Sequence, residues 1–524
     1  MFKSTATGLL DKKTCEQARR SRDSRFDGLF FTAVHSTRIY CRPVCPAPSA
    51  KRVDYYRTAA AAEADGYRPC LRCRPELSPE NGAWRRGDAV LARALKLIDQ
   101  GFLADHALPE LAKRVNVGER QLRRLFVERL GAPPVAVHGT RRLLFAKQLL
   151  TETKLPITEV ALASGFGSVR RFNSTFLDAY RMTPRDLRQF QPDAARHGGD
   201  CLTLRLGYRP PYDFEAMLDF LRGRALPGVE VVDKTSYSRA ISDAHGAPAG
   251  RLRVSAWPNG EHALRLELHT AEVTRSLEII GRLRRIFDLD ADPHAITATL
   301  ARDSRLAPLL AQRPGLRIPS GWDGFEIAVR AILGQQVSVA AARTFAARIV
   351  QRFGRPIAAG DSVDGLDRLF PTPSQLAEVD LSDPQYGIGL TRARAATVRA
   401  VARALLSDVV DFHPERTLDE FVECWTALPG IGPWTAQYLA LRALGHPDAF
   451  PAEDLVLRNA IATDGSRMSA TALRALAQHW RPWRGYAVLQ LWRASASASA
   501  ITNTTTNTRP PRNRYVRSPS RRVI

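Results

Sequence analysis

Two cysteine-bearing segments, IYCRPVCPAP at 39–48 and GYRPCLRCRPE at 66–76, decide the fold of the first part of this 524-residue chain. Cys41 and Cys45 have three residues between them, Cys70 and Cys73 have two, and 24 residues separate the two pairs. Four thiolates at this spacing are typical of a tetrahedral zinc site in a small domain. The spacing favours a zinc ion that only holds the fold. It leaves open a second interpretation, in which the zinc also activates a thiolate nucleophile.

The stretch from Arg25 to Glu76 resembles the N-terminal domain of the Ada methylphosphotriester acceptors, in its four cysteines and in the Arg-Pro-Cys that leads into the second pair. The resemblance implies that Cys41, the first of the four, accepts the methyl group. It also implies one bound Zn²⁺, both structural and thiolate-activating. The implied metal ligands are Cys41, Cys45, Cys70 and Cys73.

The same resemblance implies DNA contacts by Thr37 and Arg68. Two positions that are usually Arg in the family are Pro46 and Pro48 here. This departure affects the detailed phosphate contacts and leaves the expected chemistry unchanged.

The charge balance indicates a polyanionic partner. Lys and Arg total 76 against 53 Asp and Glu, which gives a net charge of +23 at pH 7, as expected of a protein that binds nucleic acid. The chain shows neither a secretory signal nor a run of about 20 apolar residues. We therefore expect a cytoplasmic, nucleoid-associated protein without disulfides. The segment 494–524 is low in complexity and rich in Arg, and we expect it to be a disordered basic tail.

The segment 86–190 has the pattern of an all-α domain with two helix-turn-helix units. LPELAKRVNVGERQLRRLF at 108–126 and ITEVALASGFGSVRRFNSTFLDAYRMTP at 157–184 each predict a short helix, a turn and a second helix. A single Arg-rich helix can simply expose its arginines to solvent. Two such units in a row instead favour helices that bind in the major grooves of DNA. The side chains expected to read DNA are Arg123, Arg124, Ser168, Arg170, Arg171 and Asn173.

This tandem resembles the DNA-binding domain of the AraC/XylS family. Shortly before Pro184, where that family usually has Gly, this chain has Arg181. Phe172 and Phe176, four residues apart, are expected in the core. The positions that carry the resemblance are Ile157, Val160, Ala161, Gly165, Phe166, Phe172, Phe176 and Pro184.

The next segment, 200–310, predicts an α+β domain. CLTLRLGYR, RLRVSAW and ALRLELHT alternate apolar and polar residues as strands do, and Pro258-Asn259-Gly260 begins a turn between the last two. YDFEAMLDFLRGRAL, at 212–226, predicts one amphipathic helix. We find no catalytic constellation in this segment.

From 311 to 493 the pattern is helical again. ALPGIGPWTAQYLALRALG, at 427–445, predicts a helix-hairpin-helix in which Gly430 and Gly432 let backbone N–H groups approach a DNA phosphate. Alone, this motif predicts only DNA binding. Asp454 follows 22 residues after Gly432.

The region 200–493 resembles 3-methyladenine DNA glycosylase II of the AlkA type, most clearly in VRAILGQQVSVAAAR at 329–343, in the hairpin and in WRPWRGYAVLQLW at 480–492. The resemblance implies that Asp454 is the catalytic carboxylate. Gln336 occupies a position where some members insert a leucine wedge into the base stack. The implied base-pocket residues are Trp434, Tyr438, Trp483 and Tyr486.

Alternatives to this interpretation remain at single positions. A lone Trp such as Trp434 or Trp483 is more often a core residue than a pocket residue, and Asp454 can be a helix cap. The pocket interpretation rests on chemistry, since alkylation at N3 or N7 makes a purine cationic. An aromatic pocket favours a cationic base, which must leave the stack to enter it.

The distribution of lysines bears on the mechanism. The segment 235–524 contains no Lys, and Trp434 lies at or next to the position of the Schiff-base lysine of bifunctional glycosylases. We therefore expect base removal without strand cleavage. The chain also lacks a Pro-Cys-His-Arg acceptor motif, so no O6-alkylguanine acceptor is expected.

These observations predict a multidomain α+β protein with five segments. They are a small zinc domain at 1–80, an all-α tandem helix-turn-helix at 86–190, an AlkA N-terminal-like α+β domain at 200–310, an all-α helix-hairpin-helix glycosylase domain at 311–493 and the tail at 494–524. We expect a monomeric sensor, transcriptional activator and base-excision enzyme, with double-stranded DNA and RNA polymerase as partners. One alternative is a pure regulator with an inactive, glycosylase-like DNA clamp. Another is an enzyme with an accessory DNA-binding arm and purely structural zinc.

Overall fold

A computed structural model of the chain describes residues 11–48, 50–80, 89–99, 101–190, 201–243, 245–357, 365–412, 416–462 and 467–506. In these ranges the elements form four consecutive units, and no helix there has the length and apolar character needed to cross a membrane.

The first unit is a small sheet flanked by helices. Its strand order is β3-β1-β2-β4, with β2 antiparallel to β1 and parallel to β4. Phe31, Tyr40 and Tyr67 pack with alanines of α2 in its core. The elements are α1 (Lys12–Ser21), β1 (Phe31–Val34), β2 (Ile39–Cys41), β3 (Val53–Tyr56), α2 (Ala59–Ala64) and β4 (Arg68–Pro69).

The second unit is all-α, as predicted, and its long helix α7 connects two helix-turn-helix motifs. Asn116 (φ 58°) and Gly165 (φ 75°) take the left-handed conformation in the two turns. Phe172 and Phe176 are fully buried, which confirms their predicted core role. The helices are α3 (Ala89–Asp99), α4 (Phe102–Asp105), α5 (Leu108–Arg114), α6 (Glu119–Leu130), α7 (Pro134–Glu152), α8 (Ile157–Ala163), α9 (Val169–Tyr180) and α10 (Pro184–Phe190).

The third unit is an antiparallel sheet, in the order β5-β9-β8-β7-β6, covered by helices. The three predicted strands are present, but β6 and β7 have no clear alternating pattern in the sequence. Arg239 in β7 is buried because it pairs with Glu230 and Glu326, a contact that only tertiary structure supplies. The elements are β5 (Cys201–Gly207), α11 (Phe214–Arg222), β6 (Glu230–Val232), β7 (Ser236–Ser242), β8 (Pro248–Ala256), β9 (Ala263–Thr270), α12 (Ser276–Ile286), α13 (Pro293–Leu300) and α14 (Ala307–Gln312).

The fourth unit is helical around one apolar core that includes Trp425 and Trp480. Among its helices, α19 and α20 form the predicted hairpin around Gly430 and Gly432. The helices are α15 (Gly324–Leu333), α16 (Val339–Phe353), α17 (Pro373–Leu376), α18 (Arg392–Leu406), α19 (Leu418–Thr426), α20 (Pro433–Arg442), α21 (Leu455–Ala460), α22 (Ala470–Leu476) and α23 (Arg484–Thr506).

The last helix corrects the expected start of the tail. We expected disorder from 494, but α23 continues to Thr506. Its alternating Ala and Ser are compatible with a helix, and extending an existing helix costs much less than starting one. The rest of the expected tail, 507–524, lies outside the described residues.

Candidate metal centre, DNA-binding helices and base pocket

The four cysteines of the two sequence pairs meet at one point. The parallel pairing of β2 with β4 sets Tyr40 beside Pro69, so the chain carries Cys41 and Cys70 out of the sheet side by side. The four sulfur atoms lie within 4.8 Å of one another. A tetrahedral Zn²⁺ with Zn–S bonds of about 2.3 Å needs sulfurs about 3.8 Å apart, so this donor set fits zinc.

The environments of these thiols differ. Cys41, Cys70 and Cys73 are buried, with 9, 7 and 6% exposure, whereas Cys45 is half-buried. The Arg42 backbone N–H donates a hydrogen bond to Cys73 Sγ at 3.3 Å, and the Arg42 guanidinium donates to the Cys73 carbonyl at 3.0 Å. A hydrogen bond to a thiolate stabilises its negative charge and makes it a weaker nucleophile. Cys73 is therefore better suited to a structural role than to reaction.

The remaining cysteines, Cys15, Cys201 and Cys424, lie outside the cluster. Burial, followed by the charge of Asp11, raises the pKa of Cys15 to about 12. Burial also raises the pKa of Cys201, and the Cys424 thiol donates to the Val409 carbonyl. A thiol with a raised pKa is a poor nucleophile at neutral pH.

The residues expected to contact DNA in this unit lie shortly before the two cysteine pairs in the chain. Thr37 is exposed in the turn between β1 and β2, and Arg68 is half-buried in β4. The Pro46 carbonyl accepts a hydrogen bond from Arg22 at 3.1 Å. The arginine that directly follows α1 therefore lies beside a position where the resembling family has Arg.

The second helix of the C-terminal motif, α9, presents the polar side chains that the sequence selects. Arg170, Arg171 and Asn173 are exposed, and Ser168 caps the helix by accepting from the Arg171 N–H at 3.4 Å. Within the part of the chain that the structure describes, Arg170 and Arg171 form no ion pair. Their guanidinium groups are available to a DNA groove.

The equivalent helix of the N-terminal motif, α6, is different. Arg123 pairs with Glu119 at 2.7 Å, and Arg124 lies 3.8 Å from Glu128, both pairs on the helix surface. Such exposed pairs are weak, about 0.3–0.5 kcal/mol, but they must be broken before the arginines can reach a base.

The hairpin between α19 and α20 is built for close approach by a polyanion. Gly430 has φ 84°, and a Cβ there would lie 2.1 Å from Thr397 Oγ1, so no larger residue fits. Gly432 caps α20 and faces open space. An exposed helix N-terminus preceded by glycine is a ready site for a backbone phosphate.

The expected wedge residue lies beside this hairpin. Gln336 is exposed, with the left-handed φ of 56°, in the turn between α15 and α16. Its neighbour Gln335 donates to the Gly430 carbonyl at 2.9 Å and to Thr435 Oγ1 at 3.1 Å. The turn and the hairpin are therefore locked together, and a left-handed non-glycine residue of this kind is common at functional sites.

Asp454 is both the helix cap and the centre of a cluster of donors. Its Oδ1 accepts from the N–H groups of Val456 and Leu457, each at 3.0 Å. Its Oδ2 accepts from Trp434 Nε1 at 2.9 Å. The residue is 9% exposed. The neighbouring Glu453 instead pairs with Arg474 at the surface.

A further aromatic residue, Trp492, was not selected from the sequence. Its Nε1 donates to Asp454 Oδ1 at 3.3 Å, and its ring lies 6.2 Å from that of Tyr438. Tyr438 in turn stacks on Trp434, at 5.1 Å and 17° between the ring planes. Asp454 thus accepts hydrogen bonds from two indoles, and the Tyr438 ring lies against both of these indoles. The only available sequence signal was that Trp492 ends the WRPWRGYAVLQLW motif.

Buried cations hold Tyr438 in position. Arg442 donates to the Tyr438 hydroxyl at 2.9 Å. Burial opposes ionisation of this phenol, but the charges of Arg442 and Arg224 outweigh it, so the pKa of Tyr438 is lowered. Burial lowers the pKa of Arg442 to about 10. These contacts fix the ring and leave its π face towards Trp434.

The structure does not bring Trp483 and Tyr486 to Asp454. Their rings pack edge to face at 5.8 Å, and the Tyr486 hydroxyl donates to Asp288 Oδ2 at 2.8 Å. Both line a separate cavity of about 1050 Å³ between the units. Tyr486 and Trp492 are six residues apart on α23, hence about 120° apart around the helix, so they face different surroundings.

Four protein-family models match this chain. They are the metal binding domain of Ada over residues 14–76, a helix-turn-helix domain over 111–189, the AlkA N-terminal domain over 203–323 and the HhH-GPD superfamily base excision DNA repair protein over 329–484. They confirm the predicted fold class, a multidomain α+β protein that joins a metal-binding and helix-turn-helix half to a base-excision fold.

Curated relatives define the family more closely. The chain is 39% identical over 489 residues to the "probable bifunctional transcriptional activator/DNA repair enzyme AlkA" of Mycobacterium tuberculosis, covering 92% of this chain and 96% of the relative. It is 34% identical to DNA-3-methyladenine glycosylase 2 of Escherichia coli, over 55% of this chain and 95% of that protein. It is 32% identical to the "bifunctional transcriptional activator/DNA repair enzyme Ada" of E. coli, over 38% of this chain and 53% of that protein. The chain belongs to the AlkA family in the fused form that carries Ada-type metal-binding and helix-turn-helix domains.

Proposed function

We propose that the C-terminal half excises alkylated bases, 3-methyladenine among them, from DNA as a monofunctional glycosylase. The observation that supports this most is Asp454, which accepts hydrogen bonds from the Trp434 and Trp492 indoles, with the Tyr438 ring stacked on Trp434. The aromatic faces favour a flipped, cationic base by about 1–2 kcal/mol for each good cation–π contact. The names of the relatives point to the same substrate class.

The reaction needs no residue beyond those in the pocket and water. The glycosidic C–N bond breaks, and its electron pair leaves with the cationic base, which becomes neutral. The Asp454 carboxylate stabilises the positive charge that develops on the sugar. A water oxygen then bonds to C1′ and releases one proton, leaving an abasic site in an unbroken strand.

A glycosylase assay on methylated duplex DNA tests this proposal. We expect release of 3-methyladenine, an intact abasic strand and no adduct trapped by borohydride. A trapped adduct would mean that an amine forms a Schiff base and that the mechanism is wrong. DNA binding without base release would favour the alternative of a regulator with an inactive clamp.

We further propose that the N-terminal half accepts a methyl group from a DNA methylphosphotriester at Cys41, with Cys41, Cys45, Cys70 and Cys73 holding one zinc ion. Zinc keeps coordinated thiols ionised at neutral pH. The Cys41 sulfur bonds to the methyl carbon while the C–O bond breaks, and the electron pair stays on the phosphate oxygen. The products are a thioether and an ordinary phosphodiester. Cys45 is the second candidate acceptor, because it is the more exposed of the two thiols.

Peptide mass spectrometry after incubation with methylated DNA identifies the acceptor. We expect one added methyl group, on the peptide that contains Cys41. Modification of Cys45 alone would move the reaction to the more exposed thiol. Modification of neither would leave the cluster a structural site only.

We propose that methyl transfer promotes binding of α6 and α9 to promoter DNA, where the protein activates transcription with RNA polymerase as its partner. Loss of one negative charge from the cluster reduces repulsion of DNA phosphates, an effect that salt screens. We also propose that the protein acts as a monomer, in the cytoplasm and associated with the nucleoid. Equal promoter affinity before and after methyl transfer would reject this electrostatic switch.

A further inference from the structure

Helix α7 lies between the cysteine cluster and the edge of the third unit. At its cluster side, Lys147 forms an ion pair with Glu76, and both side chains are only 1% exposed. Lys147 Nζ also lies 3.5 Å from the carbonyl oxygen of Cys70. A buried ammonium is costly unless negative groups surround it, so its stability depends on the charge nearby.

On its other side, α7 closes the open edge of the large sheet. β5 is an edge strand, which leaves backbone groups without a neighbouring strand. Gln148 Nε2 donates to the Arg205 carbonyl at 2.8 Å, and the Arg205 N–H donates to Glu152 Oε2 at 3.0 Å. The two side chains thus take the hydrogen-bonding positions of a missing strand.

Further contacts join these two sides of α7. Arg74, which directly follows Cys73, donates to Glu152 Oε1 at 2.7 Å and to Glu76 Oε1 at 3.1 Å. A Cβ on Gly207, at the end of β5, would lie 2.1 Å from the Leu77 carbonyl oxygen. The backbones of the first and third units therefore touch where α7 crosses them.

The edge of β5 is thus the docking surface for α7 of the same chain. We propose that Lys147 makes this junction sensitive to the charge of the cysteine cluster, which rests on the proposed methyl transfer. Transfer removes one negative charge near Lys147, and the buried ion pair then holds α7 less firmly. The base-excision half would sense, through β5, that the sensor half has reacted.

Hydrogen exchange of the zinc-loaded full chain, followed by mass spectrometry before and after methyl transfer, tests the coupling. We expect peptides covering 201–207 and 143–152 to exchange about five- to tenfold faster after transfer, while α15 is unchanged. Lys147→Met should remove this difference, because the charge that senses the cluster is gone. An added methyl group without a change in exchange would overturn the coupling, as would a difference that persists in Lys147→Met.

A separate pair of variants tests the docking surface without any methyl transfer. Gly207→Ala should speed exchange in α7, because the new Cβ forces β5 away from Leu77. Gly139→Ala, in α7 itself, meets nothing within 4 Å and should not speed exchange, because Ala favours a helix more than Gly does. If the intact mass shows no methyl transfer, the proposed function fails and this pair still decides the docking. Wild-type exchange of α7 in Gly207→Ala would overturn the docking surface.

Discussion

The two candidate reactive centres use negative charge in opposite ways. The cysteine cluster gathers four sulfurs within 4.8 Å, so its ligands repel one another unless a cation is present. Asp454 is a single carboxylate that receives N–H groups from α21 and from the Trp434 and Trp492 indoles. The first arrangement suits a nucleophile that reacts once, since its product is a stable thioether. The second suits a group that stabilises charge and is unchanged after each turnover.

The centres also differ in how clearly the sequence marks their parts. The cluster joins two closely spaced cysteine pairs, which the pairing of β2 with β4 brings together by setting Tyr40 beside Pro69, 29 positions away. The pocket joins Asp454 to partners 20 and 38 positions away, on two other helices. The close spacing within each cysteine pair makes the cluster predictable from the sequence, whereas the pocket depends on how helices pack.

The largest expected effect is the complete loss of one activity while the other is unchanged. Cys41→Ala should abolish methyl transfer, because it removes the expected acceptor thiol, while base excision stays at the wild-type rate. Intact-protein mass and a glycosylase assay on the same preparation measure both. Full transfer in Cys41→Ala would assign the reaction to Cys45.

At the other centre, Asp454→Asn should lower the rate of 3-methyladenine excision by about 10²–10³-fold, because the charge that stabilises the sugar cation is removed. Methyl transfer should be unchanged, and DNA binding should persist or tighten. Glu453→Gln is the matched control, since Glu453 pairs with Arg474 at the surface. Single-turnover kinetics of both variants check this, and near-normal excision by Asp454→Asn would mean the active site lies elsewhere.

A substitution of Trp492 should lower the excision rate by less than Asp454→Asn does. Trp492→Phe keeps an aromatic ring but removes the N–H that Asp454 accepts, and the excision rate should fall about tenfold. Trp483→Phe should leave the chemical step unchanged, because Trp483 lies with Tyr486 and Asp288. Single-turnover excision rates of both variants measure this. A rate that falls in Trp483→Phe but not in Trp492→Phe would show that Trp483 is the pocket residue.

The smallest expected effect compares the two helix-turn-helix motifs. Arg171→Ala should weaken promoter binding about fivefold, since Arg171 is free to contact DNA. Arg123→Ala should weaken it less, because Arg123 is paired with Glu119. Fluorescence anisotropy at several salt concentrations measures both affinities. Equal losses would show that the ion pair on α6 opens without measurable cost.

The fold was predictable wherever a period or a spacing marks an element. The alternating strands β5, β8 and β9 and the tandem motifs on both sides of α7 follow from such patterns. Strand β7 was missed because its buried Arg239 breaks the alternation and is accommodated only by Glu230 and Glu326. The start of the tail was misplaced because composition does not show that α23 continues into it.

The candidate pocket was predictable only in part. Trp434, Tyr438 and Asp454 belong to a hairpin motif of fixed spacing, and the structure brings these three together. Trp483 and Tyr486 were chosen from the right motif but lie on another face, while Trp492 takes the place beside Asp454. A sequence motif predicts which helix contributes to the pocket, but the packing of that helix decides which of its faces lines it.

The sequence by itself determined which functional groups this protein contains: four cysteines at zinc spacing, two helix-turn-helix motifs, and a carboxylate after a glycine hairpin. Residue types and local spacing are enough for this, because ligands, turns and caps act over a few residues. Only the tertiary structure decided which aromatic groups hold Asp454, and that α7 joins the cysteine cluster to the edge of β5. The physical reason is that buried polar groups must find partners, and those partners come from distant parts of the chain.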